Sequence, residues 1–298
     1  MKTPSTTDLL TETNMATLQS KIDFAVILSV RKANPNGDPL NGNRPRTDYG
    51  NLGEISDVCI KRKLRDRLLE AGHSIFVQSD DRKTDDAKSL KARAEAALGN
   101  KLGSGETVEL ACRRWFDVRA FGQLFALKST KKGKRKGEEG DEEGDTGVSI
   151  GIRGPVSVQS AFSVVPVEVS STQITKSVSG EGDGSKRGSD TMGMKHRVDQ
   201  AVYTFFGGMN PQLAERTGFS DADAEAIKQV LPKLFENDES SARPAGSMEV
   251  LTVVWWKHNC RAGQYSSAKV HRTLKVAPDG SYELSNLDGL VPELIPGF

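Results

Sequence analysis

Cysteine is scarce and scattered. The 298-residue chain holds three, Cys59, Cys112 and Cys260, far apart and odd in number, so no disulfide framework is implied and a reducing cytoplasm is the expected compartment. Residues 1–20 are polar and threonine-rich, without the apolar core of a signal peptide, and read as a disordered leader. No apolar run approaches the ~18 residues of a membrane-spanning helix, so no membrane partner is expected. No internal repeat is visible. Neither sign of charge dominates: 41 Lys+Arg stand against 40 Asp+Glu, and the net charge of +1 does not announce a polyanion binder. The string Gly180-Glu181-Gly182-Asp183-Gly184-Ser185-Lys186-Arg187-Gly188 lacks phosphate-loop spacing and reads as a cationic hairpin tip. His258, Cys260 and His271 form the one candidate metal cluster, but His258-x-Cys260 is too tight for a common zinc pair and a fourth ligand is missing. Neither a metal, a cofactor nor a catalytic residue is expected.

What the total conceals, the distribution shows. Residues 128–145 carry six cations followed by six anions, a low-complexity insertion expected to be a mobile surface loop. The window 31–67 is different, with nine cations against five anions. There a nearly continuous apolar strand, Ile22 to Val30, runs into a loop broken by Pro35, Gly37, Pro39, Gly42 and Pro45 and loaded with Arg44 and Arg46. A helix should follow, with Ser56 as N-cap, Asp57 in its first turn, Ile60, Leu64 and Leu68 buried, and Gly72 as its stop. Lys61 and Arg65 then share a face, with Arg62 beside them, flanking the loop where phosphates could be neutralised. An ordinary solvated helix face explains the same charges. Asn34-Pro35-Asn36-Gly37-Asp38-Pro39 can turn backbone N–H groups toward an anion, and Asp38 could hold a metal or cap the turn.

Farther along, residues 75–78 suggest a short strand and 85–98 a helix. Residues 155–169 alternate as a strand. Residues 171–195 read as a long glycine-tipped hairpin standing off the core, with the return strand at 197–206. Its flank, Met192-Gly193-Met194-Lys195-His196-Arg197, sets apolar side chains beside cations, a combination suited to wedging between bases while holding phosphate; a simple hairpin return is the alternative. A helix at 220–236 opens on Ser220-x-x-Asp223 and meets Pro232 late, and Met248 to Lys257 reads as a central strand. The expected class is α+β, a βαββαβ sheet of ferredoxin-like or RRM-like type with one helical face and large insertions.

Asn34 to Pro39, followed by Ile55-Ser56-Asp57-Val58-Cys59-Ile60-Lys61-Arg62, resembles the CRISPR RNA (crRNA)-binding backbone subunit of type I-C Cascade complexes, the seventh Cas family in the RAMP superfamily. Phe116 to Gly122, Gly151 to Gln159 and Gly193 to Asp199 agree in order, over roughly 21–275. The resemblance implies a palm over residues 21–276, fingers and insertion at about 80–150, a thumb hairpin at 172–197 and a C-terminal tail at 277–298. It implies antiviral defence: several copies in a filament along crRNA, a thumb displacing bases at intervals, and a guide held for target DNA. Other Cascade subunits and a helicase-nuclease recruited on target binding would be partners. It places Arg31, Asn36, Ser56, Lys61, Arg62 and Arg65 on the palm side of the RNA, and Met194, Lys195 and His196 on the thumb side. Arg44, Arg46, Lys186 and Arg197 complete the expected contacts. Type III relatives use an aspartate in a comparable loop for metal-assisted cleavage, so a ribonuclease using Asp38 is the alternative; a processing nuclease with His196 or His73 as base is a third.

Overall fold

The computed structural model describes residues 16–127, 148–175 and 192–298. β1 (Ile22–Ala33) is apolar on both sides and leads to a loop held by a two-residue ladder, β2 (Gly37–Asp38) with β3 (Arg44–Pro45). β4 (Leu52–Ile55) delivers the chain to α1 (Asp57–Glu70). Then come α2 (Leu90–Leu98), α3 (Thr107–Arg114), α4 (Phe116–Phe121) and the hairpin β5 (Gly122–Leu127) and β6 (Val148–Arg153). β7 (Val156–Val158), β8 (Ala161–Pro166) and β9 (Val169–Thr175) precede the long β10 (Met192–Met209). α5 (Pro211–Thr217), α6 (Asp221–Val230) and β11 (Met248–Lys257) follow, then α7 (Ser267–His271), β12 (Leu274–Val276), β13 (Tyr282–Leu284) and β14 (Glu293–Pro296).

The fold is α+β, built on an antiparallel sheet in the order β14-β11-β1-β10-β8-β4, with β7 and β9 also pairing β10. β1 lies between β10, in register from Ile22↔Met209 to Ala33↔Val198, and β11, from Ile22↔Lys257 to Val30↔Met248. Its alternate residues serve two cores. Phe24, Val26, Leu28 and Val30 pack with Ile60, Leu64 and Leu68 of α1 and Ile227 of α6. Ala25 and Ile27 pack on the other face with Val254, Trp256, Val270, Leu274 and Leu290. That second cover, drawn from the C-terminal segment, is why β1 has no polar stripe. A third cluster around Phe76, Trp115, Val118 and Phe125 holds α2–α4 and the β5–β6 hairpin together.

Ser56 caps α1 as expected, accepting from Cys59 N at 3.3 Å, and Gly72 ends it at φ +88°. The capping box at Ser220 and Asp223 is formed, and the helix tightens into a 3-10 turn at Leu231–Lys233, where Pro232 cannot continue the α ladder. Three expectations are corrected. Residues 75–78 form no strand, because Phe76 N and Val77 N donate to Asp117 at 2.7 and 3.0 Å while Arg93 and Arg62 bond the Phe76 and Val77 carbonyls. The helix expected at 85–98 begins at Leu90, capped by Ser89, because Asp85 turns back to Ala87 N and pairs with Arg93 at 2.7 Å. The expected leader ends early: Leu18 is fully buried and donates its N–H to Phe219 O at 2.9 Å. The insertion at 128–147 and the glycine string with Lys186 lie outside the described residues.

Candidate nucleic-acid interface

The loop after β1 is tied to the start of α1 chiefly through Asn36. Asn36 Oδ1 accepts from Ser56 N at 3.0 Å and from Ser56 Oγ at 2.9 Å, and Asn36 O accepts from Arg46 N. Both residues thus shape the loop. Asp38 accepts from Leu40 N at 3.2 Å, capping the 3-10 turn Pro39–Asn41, and stands 3.6 Å from Arg46 Nη2. Its carboxylate is turned to the turn-capping role.

Most of the α1 cations are engaged in pairs. Lys61 pairs with Asp57 at 3.0 Å. Arg62 spans from Asp66 to the Val77 carbonyl at 2.7 and 2.8 Å. Arg65 is a correction: its side chain is only 13% exposed, donates to the buried Asp117 at 2.9 Å and lies over the Phe121 ring. Arg62 and Arg65 therefore bind the helix to the α2–α4 unit rather than flank the loop. Lys63, beside them, pairs with Asp238. Burial pushes the Cys59 thiol up despite Lys63 nearby, so it stays protonated.

The open positive charge lies elsewhere. Arg31, exposed at the end of β1, has no ion-pair partner among the described residues, and neither does Lys195. Lys32, also exposed and held at φ +50°, pairs with Asp199 at 2.8 Å. The hairpin stem stands directly beside them. β9 and β10 pair from Met192↔Thr175 to Val198↔Val169, with Met192, Met194 and Ile174 as exposed apolar side chains. Arg197 Nε reaches Ser170 Oγ at 3.4 Å. Arg44 crosses from the loop to this stem, donating to Ser171 Oγ at 3.1 Å, and the same oxygen is 2.8 Å from His196 Nδ1.

Loop and stem, 127 positions apart at that bond, thus form one surface. Sequence reasoning missed Ser171, one of several Ser/Thr in the stem, because nothing in its neighbourhood marks it as the joint. It also missed Asp117, which takes Arg65 out of the surface.

The remaining histidines have other partners. His73 packs tilted against Phe116, ring centroids 4.7 Å apart, and burial, helped by Arg119, holds it below the usual imidazole range. His258 Nε2 donates to the buried Asp23 at 2.9 Å while its Nδ1 accepts from Gln264 N, and His271 stacks on Phe206. Among the described residues no three His, Cys, Asp or Glu side chains could jointly hold a metal ion. No described helix is long and apolar enough to cross a membrane.

The chain is similar to several known proteins. A curated relative from Haloferax volcanii, "CRISPR-associated protein Cas7", is 25% identical over 288 residues, spanning 94% of this chain and 82% of that protein. Among solved structures, a chain of a "CRISPR RNA-guided surveillance complex, pre-nicking" covers 80% of this chain and 78% of its own length at 15% identity and a TM-score of 0.47. A chain of a "CRISPR RNA-guided surveillance complex" covers 88% and 78% at 17% identity and a TM-score of 0.44. The family model described as "CRISPR-associated protein Cas7" matches residues 20–288, nearly the whole length, and the chain belongs to that family.

Proposed function

We propose that this Cas7-family chain is a non-catalytic backbone subunit that assembles in several copies along crRNA in a type I-C Cascade, holding the guide for pairing with target DNA. The observation that carries this reading is the Arg44–Ser171 bond, which joins a pliable arginine loop to a hairpin stem bearing exposed methionines and cations. Phosphates track along Arg31, Arg44, Arg46, Lys61, Lys195 and Arg197, with His196 beside Arg44, while Met194 meets bases, as sequence-independent grip on a single strand requires. Lys186, from the segment between β9 and β10 in sequence, is proposed to join them. Sequence is then read by base pairing with the guide.

The path of the elements that build the sheet around β1 and its helical cover supports an RRM-like palm. β1, α1, β8, β10, α6 and β11 follow one another as strand, helix, strand, strand, helix, strand, and the strands lie in the order β11-β1-β10-β8. α2–α4 with β5–β6 would be the fingers and β9–β10 the thumb. Other Cascade subunits and a helicase-nuclease recruited on target binding complete the proposed assembly, in the cytoplasm.

The capping role of Asp38 favours a scaffold over a ribonuclease. The complex is expressed, its nucleic acid is extracted and sized, and it is incubated with complementary RNA and Mg²⁺, wild type beside Asp38→Ala. The scaffold reading expects copies of the subunit on one RNA of defined size and no cleavage by either protein. Wild-type cleavage abolished in Asp38→Ala would replace it with the metal-dependent endoribonuclease.

A further inference from the structure

Ser171 Oγ has one proton and two lone pairs, and it sits between two nitrogen groups. Arg44 can only donate, so its 3.1 Å contact uses a lone pair of the hydroxyl. The hydroxyl proton is then available to His196 Nδ1, 2.8 Å away, if that nitrogen is bare. The arrangement therefore suits a neutral imidazole with its proton on Nε2, and in that state Ser171 relays a hydrogen bond from loop to stem.

A second proton on the imidazole reverses the relay. Nδ1 becomes a donor, Ser171 accepts from both sides, and its own proton turns outward. Two cations then share one oxygen, and an anion seated between them relieves their repulsion. The surrounding charges leave that role open. β9 brings no titratable side chain to His196, and β3 brings Arg44, with Arg46 beyond it already beside Asp38. The end of β1 brings Arg31 and Lys32, and β10 itself brings Lys195, Arg197 and Asp199. Asp199, the one carboxylate in that set, is paired with Lys32 at 2.8 Å. No carboxylate among the described residues pairs with Arg44 or His196.

We propose that Arg44, Ser171 and His196 form one proton-gated subsite for a single phosphodiester of bound RNA, an inference that rests on the RNA-binding reading above. Without RNA the trio, its imidazole uncharged, latches the stem to the loop. A phosphate entering between Arg44 and His196 draws a proton onto the imidazole, so each bound subunit takes up a proton at this site.

Binding of a fluorescent oligouridylate, whose bases do not titrate in the range used, is measured from pH 8 to 5.5 at constant ionic strength. Wild type is expected to tighten as pH falls, by up to about tenfold per pH unit for one linked proton, and His196→Gln to lose that slope. Imidazole ¹⁵N shifts of the RNA-free protein at pH 8 supply a second readout, expected to show His196 neutral with its proton on Nε2. A wild-type slope in His196→Gln, or a neutral His196 carrying its proton on Nδ1, overturns the proposal. Protein that binds no oligouridylate at any of these pH values in low salt fails the RNA-binding reading itself, a result distinct from a flat pH profile.

Discussion

Arg65 Nε donates to Asp117 Oδ2 at 2.9 Å, joining α1 to α4 across 52 residues of sequence. The carboxylate is 1% exposed and also takes the N–H groups of Phe76 and Val77. Asp117→Ala would strand a half-buried guanidinium and two amides at once. We expect it to cost about 3–5 kcal/mol, the range for breaking one side of a buried pair, in urea unfolding at pH 7. An unfolding midpoint within error of wild type would show that water replaces the carboxylate freely.

The free and the committed cations should separate by assay. Arg31→Gln and Lys195→Gln are expected to weaken RNA binding and to lower the slope of log affinity against log salt by about 0.7 each, the value for one phosphate contact on a single strand. Arg62→Gln, which loses its bonds to Asp66 and the Val77 carbonyl, should lower stability and leave the salt slope unchanged. The opposite pattern would mean that Arg62 faces the RNA.

Asp23 should make the fold acid-sensitive. Burial alone would raise its carboxyl, but the hydrogen bond from His258, with His271, Ser267 and the charge of Lys21 close by, overrides that and holds it well below the usual carboxylate range. A depressed native value means stability that is complete above the unfolded carboxylate range, near pH 4, and drains away as pH falls below it. Asp23→Asn is expected to be less stable than wild type at pH 7 by about 3 kcal/mol and to lose less on going to pH 3. Parallel unfolding curves for the two proteins between pH 5 and 3 would contradict this.

Gly207 faces the ring of Phe24, where a Cβ would come within 2.2 Å of the ring Cζ. Phe24 is fully buried and stacked on Trp255 at 5.6 Å, so it has no room to retreat. Gly207→Ala is expected to cost about 1–3 kcal/mol by overpacking. Phe24→Leu in the same chain should recover part of that loss, and strict additivity in the double-mutant cycle would exclude the clash as its cause.

The sequence patterns that were legible are those set by nearest neighbours. β1 announces its two-sided burial by lacking a polar stripe, and α1 announces its start through Ser56 and its core face through Ile60, Leu64 and Leu68. The hairpin stem was readable from its small polar residues and the glycine string in the sequence beyond them, and β9 and β10 pair among the described residues. What depended on distant partners was not readable. Arg65 and Lys63 of α1 looked free because the acids that engage them, Asp117 and Asp238, lie 52 and 175 residues away, whereas Lys61 and Arg62 pair with Asp57 and Asp66 within the helix. The strand expected at 75–78 failed for the same reason, since a side chain from α4 takes its amides. The Ser171 joint, finally, depends on strand register, which composition does not reveal.

The central claim is that loop and stem together grip RNA through its backbone. It is tested most directly by equilibrium binding of the purified protein to single-stranded RNA across a salt series, with the mass of the complex followed in parallel. The account predicts several copies on one RNA and an affinity that falls steeply and linearly in log salt, as release of counterions from several phosphates requires. A protein that stays monomeric and ignores RNA at low salt would contradict it.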